Sequence, residues 1–543
     1  MSSSSSPVGF ARPERPTRYF ATRRTTTPVS SSRPPRAFSD EGGSVTGHGT
    51  RTSPVVVTPL GAVRGVARDG SEAFLGIPFA EAPVGPLRFA APTPVSPWAG
   101  VRDASHHGPT PQRGVAAMPT LIPEPSVPGD ATLNVNVFRP SVTSDELRPV
   151  LVWIHGGGFV SGSPASPWYD GEAFNRDGVV SVVVSYRLGF EGFGWIEDAP
   201  VNRAVLDWVA ALQWVQRCIS AFGGDPARVT IAGQSAGGTA VLTLMGMESA
   251  RGLFSGAIAL SPAAFHCPAS RAQATGRRMA ELAGVPATVA GWRTIPETVV
   301  MELQEQLLAP GDSDDAAQTT ADFITDGMGW GPWIDGDLIQ VPSLSAATSD
   351  AALDVPLVIG STDDEFTQVF AADPGVVGVA PAEVLRRIGV SPAAASTYLA
   401  SRDDAAPEVI GQIATDLIFR APAHDVAARR SERGSVTWLY RFAWPSGSVG
   451  SAVHCVDVPF FFDLLDREDV TALLGDAPPH DLARHVHGAA AMFIVSRAAS
   501  WPAYTPDEPS VMIFDVPSRV VRDSGEALRG LLSSDPEARH ISG

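Results

Sequence analysis

A serine set among small residues, Gly233-Gln234-Ser235-Ala236-Gly237, follows the apolar run Val229 to Ala232 and opens a helix-like stretch that starts near Ala236. On so sharp a strand-to-helix turn a hydroxyl stands clear of its neighbours and can attack a carbonyl; glycine and alanine beside it let the backbone bend. The spacing alone also occurs in Gly-rich turns, and it is the place between strand and helix that marks Ser235 as a nucleophile. Upstream, His155-Gly156-Gly157-Gly158-Phe159 follows the run Val150 to Ile154. Three consecutive glycines allow successive amides to turn toward one point, the way a backbone holds a developing oxyanion. Gly157, Gly158 and the amide of Ala236 are the candidate donors. The chemistry implied is acyl transfer through a serine-bound intermediate, which calls for no metal and no cofactor.

Such turns need strands that end along one edge. Val150 to Ile154, Val179 to Val184, Val229 to Ala232, Ala257 to Leu260, Val355 to Ile359 and Val436 to Phe442 are strand-length runs, apolar on both faces, as in a sheet covered on both sides. Helix-like segments such as Arg203 to Phe222 and Ala236 to Met247 lie between them, giving the βαβ rhythm of a mostly parallel sheet. Val55 to Phe79, with Asp69-Gly70 between two apolar runs, reads as an antiparallel hairpin leading into that sheet. The fold class is α/β, a large mostly parallel central sheet flanked by helices. Residues 265–350, helical and punctuated by Pro and Gly, read as an insertion over the site.

Hydrophobic residues make up 44% of the 543 and charged residues 18%, enough for a large core and too little charge for general disorder. Residues 1–52, rich in Ser, Pro, Thr and Arg, have no apolar periodicity and read as a disordered tail, basic where the remainder is acidic: either a docking segment or an inert extension. Residues 53–543 read as one catalytic domain. The formal charge of -18 repels nucleic acid and anionic lipid, and no run approaches the ~20 apolar residues of a membrane span, so the expected partner is a small molecule. Cys218, Cys267 and Cys455 lie far apart without metal-ligand spacing, which points to a reducing, cytoplasmic compartment. The chain contains no lysine, as a GC-rich bacterial genome would favour. Monomer and homodimer both remain open.

Further ordered stretches accompany the two turns: Gly76-Ile77-Pro78-Phe79-Ala80 with Pro83 and Pro86-Leu87-Arg88-Phe89, Tyr186-Arg187-Leu188-Gly189-Phe190, Ala221-Phe222-Gly223-Gly224-Asp225-Pro226 and Trp501-Pro502-Ala503-Tyr504. Over roughly Val55 to Asp523 the chain resembles the type-B carboxylesterase family of the α/β-hydrolase fold. The resemblance implies a serine hydrolase of small to medium carboxylic esters with a triad in the chain order Ser, acid, His. Gly360-Ser361-Thr362-Asp363-Asp364-Glu365 resembles the family's acid loop and His454-Cys455-Val456-Asp457-Val458-Pro459-Phe460 its histidine loop, which makes Glu365 the implied acid and His454 the implied base. Residue type alone leaves Asp363, Asp364 and Glu365 open as the acid. His155 is expected to be structural, and His106, His107, His485 and His487 to lie at the surface.

The departures from the family pattern carry meaning. Gln234 stands where the family usually has Glu, which removes a negative charge beside the nucleophile and argues against a cationic substrate. The segments Gly108 to Gln112 and Gly129 to Leu133 lack the cysteines common in secreted relatives. Phe366 replaces a glycine after the acid, and Ser261, followed by Pro262 instead of glycine, matches a family serine near the triad. Gln234 and Ser261 are thus expected to support the reacting residues. The same acyl-enzyme chemistry could serve carbamates or amides. From another class, the alternative is a catalytically silent binding protein; retention of every triad and oxyanion position favours the enzyme.

Overall fold

Residues 53–532, apart from 112–120, 143, 266, 309–314, 328 and 401–407, are described by the computed structural model; the tail of residues 1–52 and the last eleven residues of the expected domain lie outside them. Among the described residues, eleven strands join in one sheet. Seven neighbours run parallel, in spatial order Val180–Val184, Arg148–Ile154, Gly224–Gln234, Gly256–Leu260, Leu357–Thr362, Thr437–Phe442 and Ser510–Phe514. Antiparallel strands finish both sides: Asn134–Pro140, Ser71–Pro78 and Val66–Ala67 on one, Arg519–Arg522 on the other.

Two-sided apolarity has the consequence expected of it. Val150, Val152 and Ile154 point into one core, shared with the helices Arg203–Cys218 and Ala236–Met245, while Leu151 and Trp153 point into a second, closed by the helix His480–Ser496. Because the middle strands are parallel, their C-terminal ends share one edge, and the loops leaving that edge can converge. The 265–350 region contains the helices Ala269–Ala283, Val289–Trp292, Glu297–Leu308 and Ala316–Asp326.

The N-terminal hairpin is corrected in one respect. The Asp69-Gly70 turn does join Val66–Ala67 to Ser71–Pro78 in the large sheet, but Val55–Thr58 and Gly61–Arg64 belong to a separate three-stranded sheet with Val101–Asp103. Val55–Thr58 alternates exposed and buried residues, so it has one apolar face and cannot sit in the covered sheet.

A buried cation ties the segment entering the strand Leu357–Thr362 to the helix behind it. Arg430, fully buried on Ala421–Glu432, donates to the carbonyls of Ala347 (2.6 Å), Ala352 (3.1 Å) and Val355 (2.6 Å) and to the hydroxyls of Ser435 (2.7 Å) and Thr437 (2.9 Å). Replacing it strands several buried acceptors, each costing about 1–3 kcal/mol. Arg430→Met is expected to lower unfolding free energy by about 3 kcal/mol or more, read from urea denaturation; an unchanged midpoint would show that these bonds contribute nothing net.

Candidate active site

The strand Gly224–Gln234 ends where the helix Ala236–Met245 begins, and Ser235 between them has φ 58° and ψ -123°. Few L-residues adopt that geometry, and holding it costs about 1–3 kcal/mol. The surroundings hold it by main-chain bonds: the Ser235 amide donates to the Leu260 carbonyl and the Thr239 amide to the Ser235 carbonyl, both at 2.9 Å. Gly237 is obligatory because a methyl group there would run into the Ile154 carbonyl, so the serine turn packs directly on the end of the neighbouring strand. Gly156 comes equally close, since a side chain would meet Gln234 O at 2.7 Å and Ser235 Cβ at 3.2 Å.

That contact brings the glycine loop against Ser235. Val160 and Ser161 donate to the Gly157 carbonyl at 3.1 and 2.8 Å, which folds the loop back on itself with positive φ at Gly157 and Gly158. The amides of Gly157, Gly158 and Ala236 donate to no acceptor among the described residues. Ala236 also opens a ten-residue helix, whose N-terminal dipole favours negative charge there. His155 is buried and stacked on Tyr186 at 4.4 Å, and the Tyr186 hydroxyl donates to the His155 carbonyl at 2.8 Å, so this histidine braces the loop.

Each of the three adjacent carboxylates after Leu357–Thr362 faces a different way. Asp363 takes two bonds from Arg441 at 2.9 Å. Asp364 accepts from the Ala452 amide at 3.1 Å, and burial pushes its carboxyl upward. Glu365 alone meets the imidazole: one carboxylate oxygen contacts His454 Nδ1, while the other accepts from the Thr362 amide at 2.8 Å. The chain geometry makes the pair compact, because the His454 amide also donates to the Glu365 carbonyl at 3.2 Å.

With Nδ1 turned to Glu365, Nε2 of His454 faces the nucleophile turn and lies 3.2 Å from the Gln234 side-chain amide nitrogen, one residue from Ser235. Gln234, fully buried, therefore touches the imidazole itself. Burial disfavours the imidazolium, but the Cys455 sulfur and the Glu365 carboxylate outweigh it and hold the His454 pKa well above the ordinary histidine range. Ser261 sits between the serine and acid strands, its amide donating to the Gly360 carbonyl at 2.8 Å and its buried hydroxyl without a partner among the described residues.

Two neighbours of the imidazole, Asp457 and Phe419, were not singled out from sequence. Asp457 is fully buried three residues after His454, accepts from the Tyr440 hydroxyl at 3.1 Å, and is pushed up to about 7 by burial and by Glu365. Phe366 and Phe419 face the imidazole with centroids 5.3 and 5.2 Å away, so the residue in place of the family's glycine forms a wall beside the histidine. Asp457 lies inside a motif visible in the chain; Phe419 has no local signal. His487, expected at the surface, is buried instead: its ring reaches Phe461 O at 2.8 Å and Asp177 at 2.9 Å, bonds that compensate a polar ring inside the core.

Comparison with known proteins identifies the family. Residues 52–519 match the sequence profile of the Carboxylesterase family. The para-nitrobenzyl esterase of Bacillus subtilis (strain 168) is 33% identical over 485 residues, 86% of this chain and 95% of that protein. Phenmedipham hydrolase of Pseudarthrobacter oxydans is 34% identical over 505 residues, 87% of this chain and 97% of that protein. A solved PNB esterase structure is similar with a TM-score of 0.78 and 29% identity, covering 89% of this chain and 100% of that one. No helix among the described residues is long and apolar enough to cross a membrane. The chain belongs to the carboxylesterase family, with its α/β-hydrolase fold, and is a serine hydrolase of carboxylic esters.

Proposed function

We propose that Ser235, His454 and Glu365 are the catalytic triad of this hydrolase, with Gly157, Gly158 and Ala236 as oxyanion donors, in a single catalytic domain over residues 53–543 that acts on small to medium esters in a bacterial cytoplasm. The observation that carries the reading is the contact of the Glu365 carboxylate with Nδ1 of His454 while Nε2 lies against Gln234, the residue next to the strained turn at Ser235. Free thiols at all three cysteines are compatible with a reducing compartment. The phenyl rings of Phe366 and Phe419 make the surroundings of His454 apolar.

In this mechanism His454 accepts the Ser235 proton as Oγ bonds to the ester carbonyl carbon, and Glu365 holds the ring in the tautomer with Nε2 free while stabilising the imidazolium. Nε2 must leave Gln234 for Ser235 Oγ when substrate seats, a tightening common on going from the empty to the occupied site. The tetrahedral oxyanion is held by the three amides. Its collapse expels the alcohol, protonated by His454, and water then attacks the acyl-enzyme by the same steps in reverse.

Ser235→Ala is expected to lower turnover of an activated ester by roughly 10³-fold or more with little change in thermal stability, because triad members act as a unit. Activity near the parent level would dismiss Ser235 as nucleophile. The acid assignment is separable: Glu365→Gln is expected to cost several orders of magnitude in kcat at pH 8, whereas Asp364→Asn costs far less, since its carboxylate bonds to backbone. The reverse ranking would make Asp364 the acid. Gln234→Glu places a carboxylate against Nε2, which favours the imidazolium; catalysis needs the neutral ring, so the acidic limb of kcat/KM is expected to move to higher pH. A limb that stays in place would show that the residue 234 side chain does not act on His454.

A further inference from the structure

The helix beginning at Glu408 does not run through evenly. Between Glu408–Thr415 and Ala421–Glu432 lies a π-helical turn, Asp416–Arg420, and the sequence explains why the helix opens there. Pro422 has no N–H, so the Ile418 carbonyl, four residues earlier, has no helical donor from that position. It accepts instead from the Ala264 amide at 3.0 Å, while the Ala421 amide reaches back five residues to the Asp416 carbonyl. Such turns are rare and tend to occur where a local displacement of side chains serves a site.

Three contacts leave this turn, each to a loop beside the triad. Ile418 fixes the loop that follows Ser261. Arg420 bridges inward: one guanidinium nitrogen pairs with Asp416 at 2.9 Å and the other donates to the Asp363 carbonyl at 2.6 Å, two residues before Glu365. Asp416 is itself held by the Tyr398 hydroxyl at 2.6 Å, so the guanidinium is anchored from behind. Phe419, between these two residues, is buried with its ring centroid 5.2 Å from the His454 imidazole. One turn of helix thus grips the main chain of the acid loop and the ring of the base at once.

We propose that the π-helical turn Asp416–Arg420 positions the Glu365–His454 pair, with Arg420 setting the acid loop and Phe419 setting the imidazole plane and favouring its charged form. The proposal rests on the triad assignment above. An aromatic ring within about 6 Å of a cation attracts it. Removing that ring while keeping the site apolar should therefore make His454 easier to deprotonate. The titratable groups facing His454 are Glu365, Cys455 and Asp457, and none of them is altered by a change at Phe419.

The test uses the full-length enzyme carrying Arg420→Met, Arg420→Lys or Phe419→Leu, with active sites counted by complete fluorophosphonate labelling and para-nitrophenyl acetate as substrate across a pH series. Per labelled site, Arg420→Met should lower kcat about tenfold or more with KM within about twofold, and Arg420→Lys should restore part of the loss. Phe419→Leu should move the acidic limb of kcat/KM to lower pH. A turn that only stabilises the fold would reduce the number of labelled sites and leave kcat per site and the limb unchanged; that outcome overturns the proposal. Should Arg420→Met not fold, the Phe419→Leu profile decides alone, and an unmoved limb rejects it. Ser235→Ala run alongside separates the two readings: turnover surviving in that variant removes the triad assignment, whereas a dead Ser235→Ala beside parent-like Arg420 and Phe419 variants removes only the role of the turn.

Discussion

The contact between the Glu365 carboxylate and His454 Nδ1 joins residues 89 positions apart, and the rest of the site is arranged so that it can form. A carboxylate buried this deeply is tolerable only when paired and hydrogen-bonded. Here the imidazole and the Thr362 amide each take one oxygen. The pairing exists because Leu357–Thr362 and Thr437–Phe442 are adjacent parallel strands in register, with Leu357 beside Thr437 and Thr362 beside Phe442. Two loops leaving that shared edge have no choice but to run side by side, and the short bridge of Asp364 to Val453 keeps them aligned.

Strain at the Ser235 turn is balanced by the same architecture. Ser235 occupies an unfavourable backbone region, and what holds it there is main-chain bonding to Leu260 of the neighbouring strand and Thr239 of the following helix, with glycine where a side chain would strike neighbouring backbone. The strained serine and the amides thus stand on neighbouring strand ends of a rigid sheet, where positioning survives better than on a free loop, and the loop carrying His454 is held to the end of Leu357–Thr362 by the Asp364–Val453 bridge. Buried Arg430 and the Arg420–Asp363–Arg441 cluster extend this support to the acid strand from behind.

Much of this was legible in the chain because the features concerned are local. The parallel strands appear as two-sided apolar runs, and the glycines of both loops announce backbone that must bend or approach closely. Asn134–Pro140 escaped notice because Asn134 and Asn136 interrupt its apolar pattern; in the fold Asn136 accepts from Gly76 where the pairing with Ser71–Pro78 shifts register, and donates to the Pro164 carbonyl. The direction of each carboxylate in Asp363-Asp364-Glu365 is a tertiary property, and only Arg441, Ala452 and His454 arriving from elsewhere distinguish them. Phe419 and the buried state of His487 depend likewise on partners remote in sequence.

In the proposed triad Glu365, and no neighbouring carboxylate, holds the proton on His454 Nδ1. Proton NMR of enzyme with nitrogen-15-labelled histidine tests it directly, because a ring N–H bonded to a buried carboxylate resonates far downfield and couples to its own nitrogen. One such signal is expected, assigned by its loss in His454→Ala, that disappears in Glu365→Gln and persists in Asp364→Asn. Persistence of the signal in Glu365→Gln with loss in Asp364→Asn would contradict it.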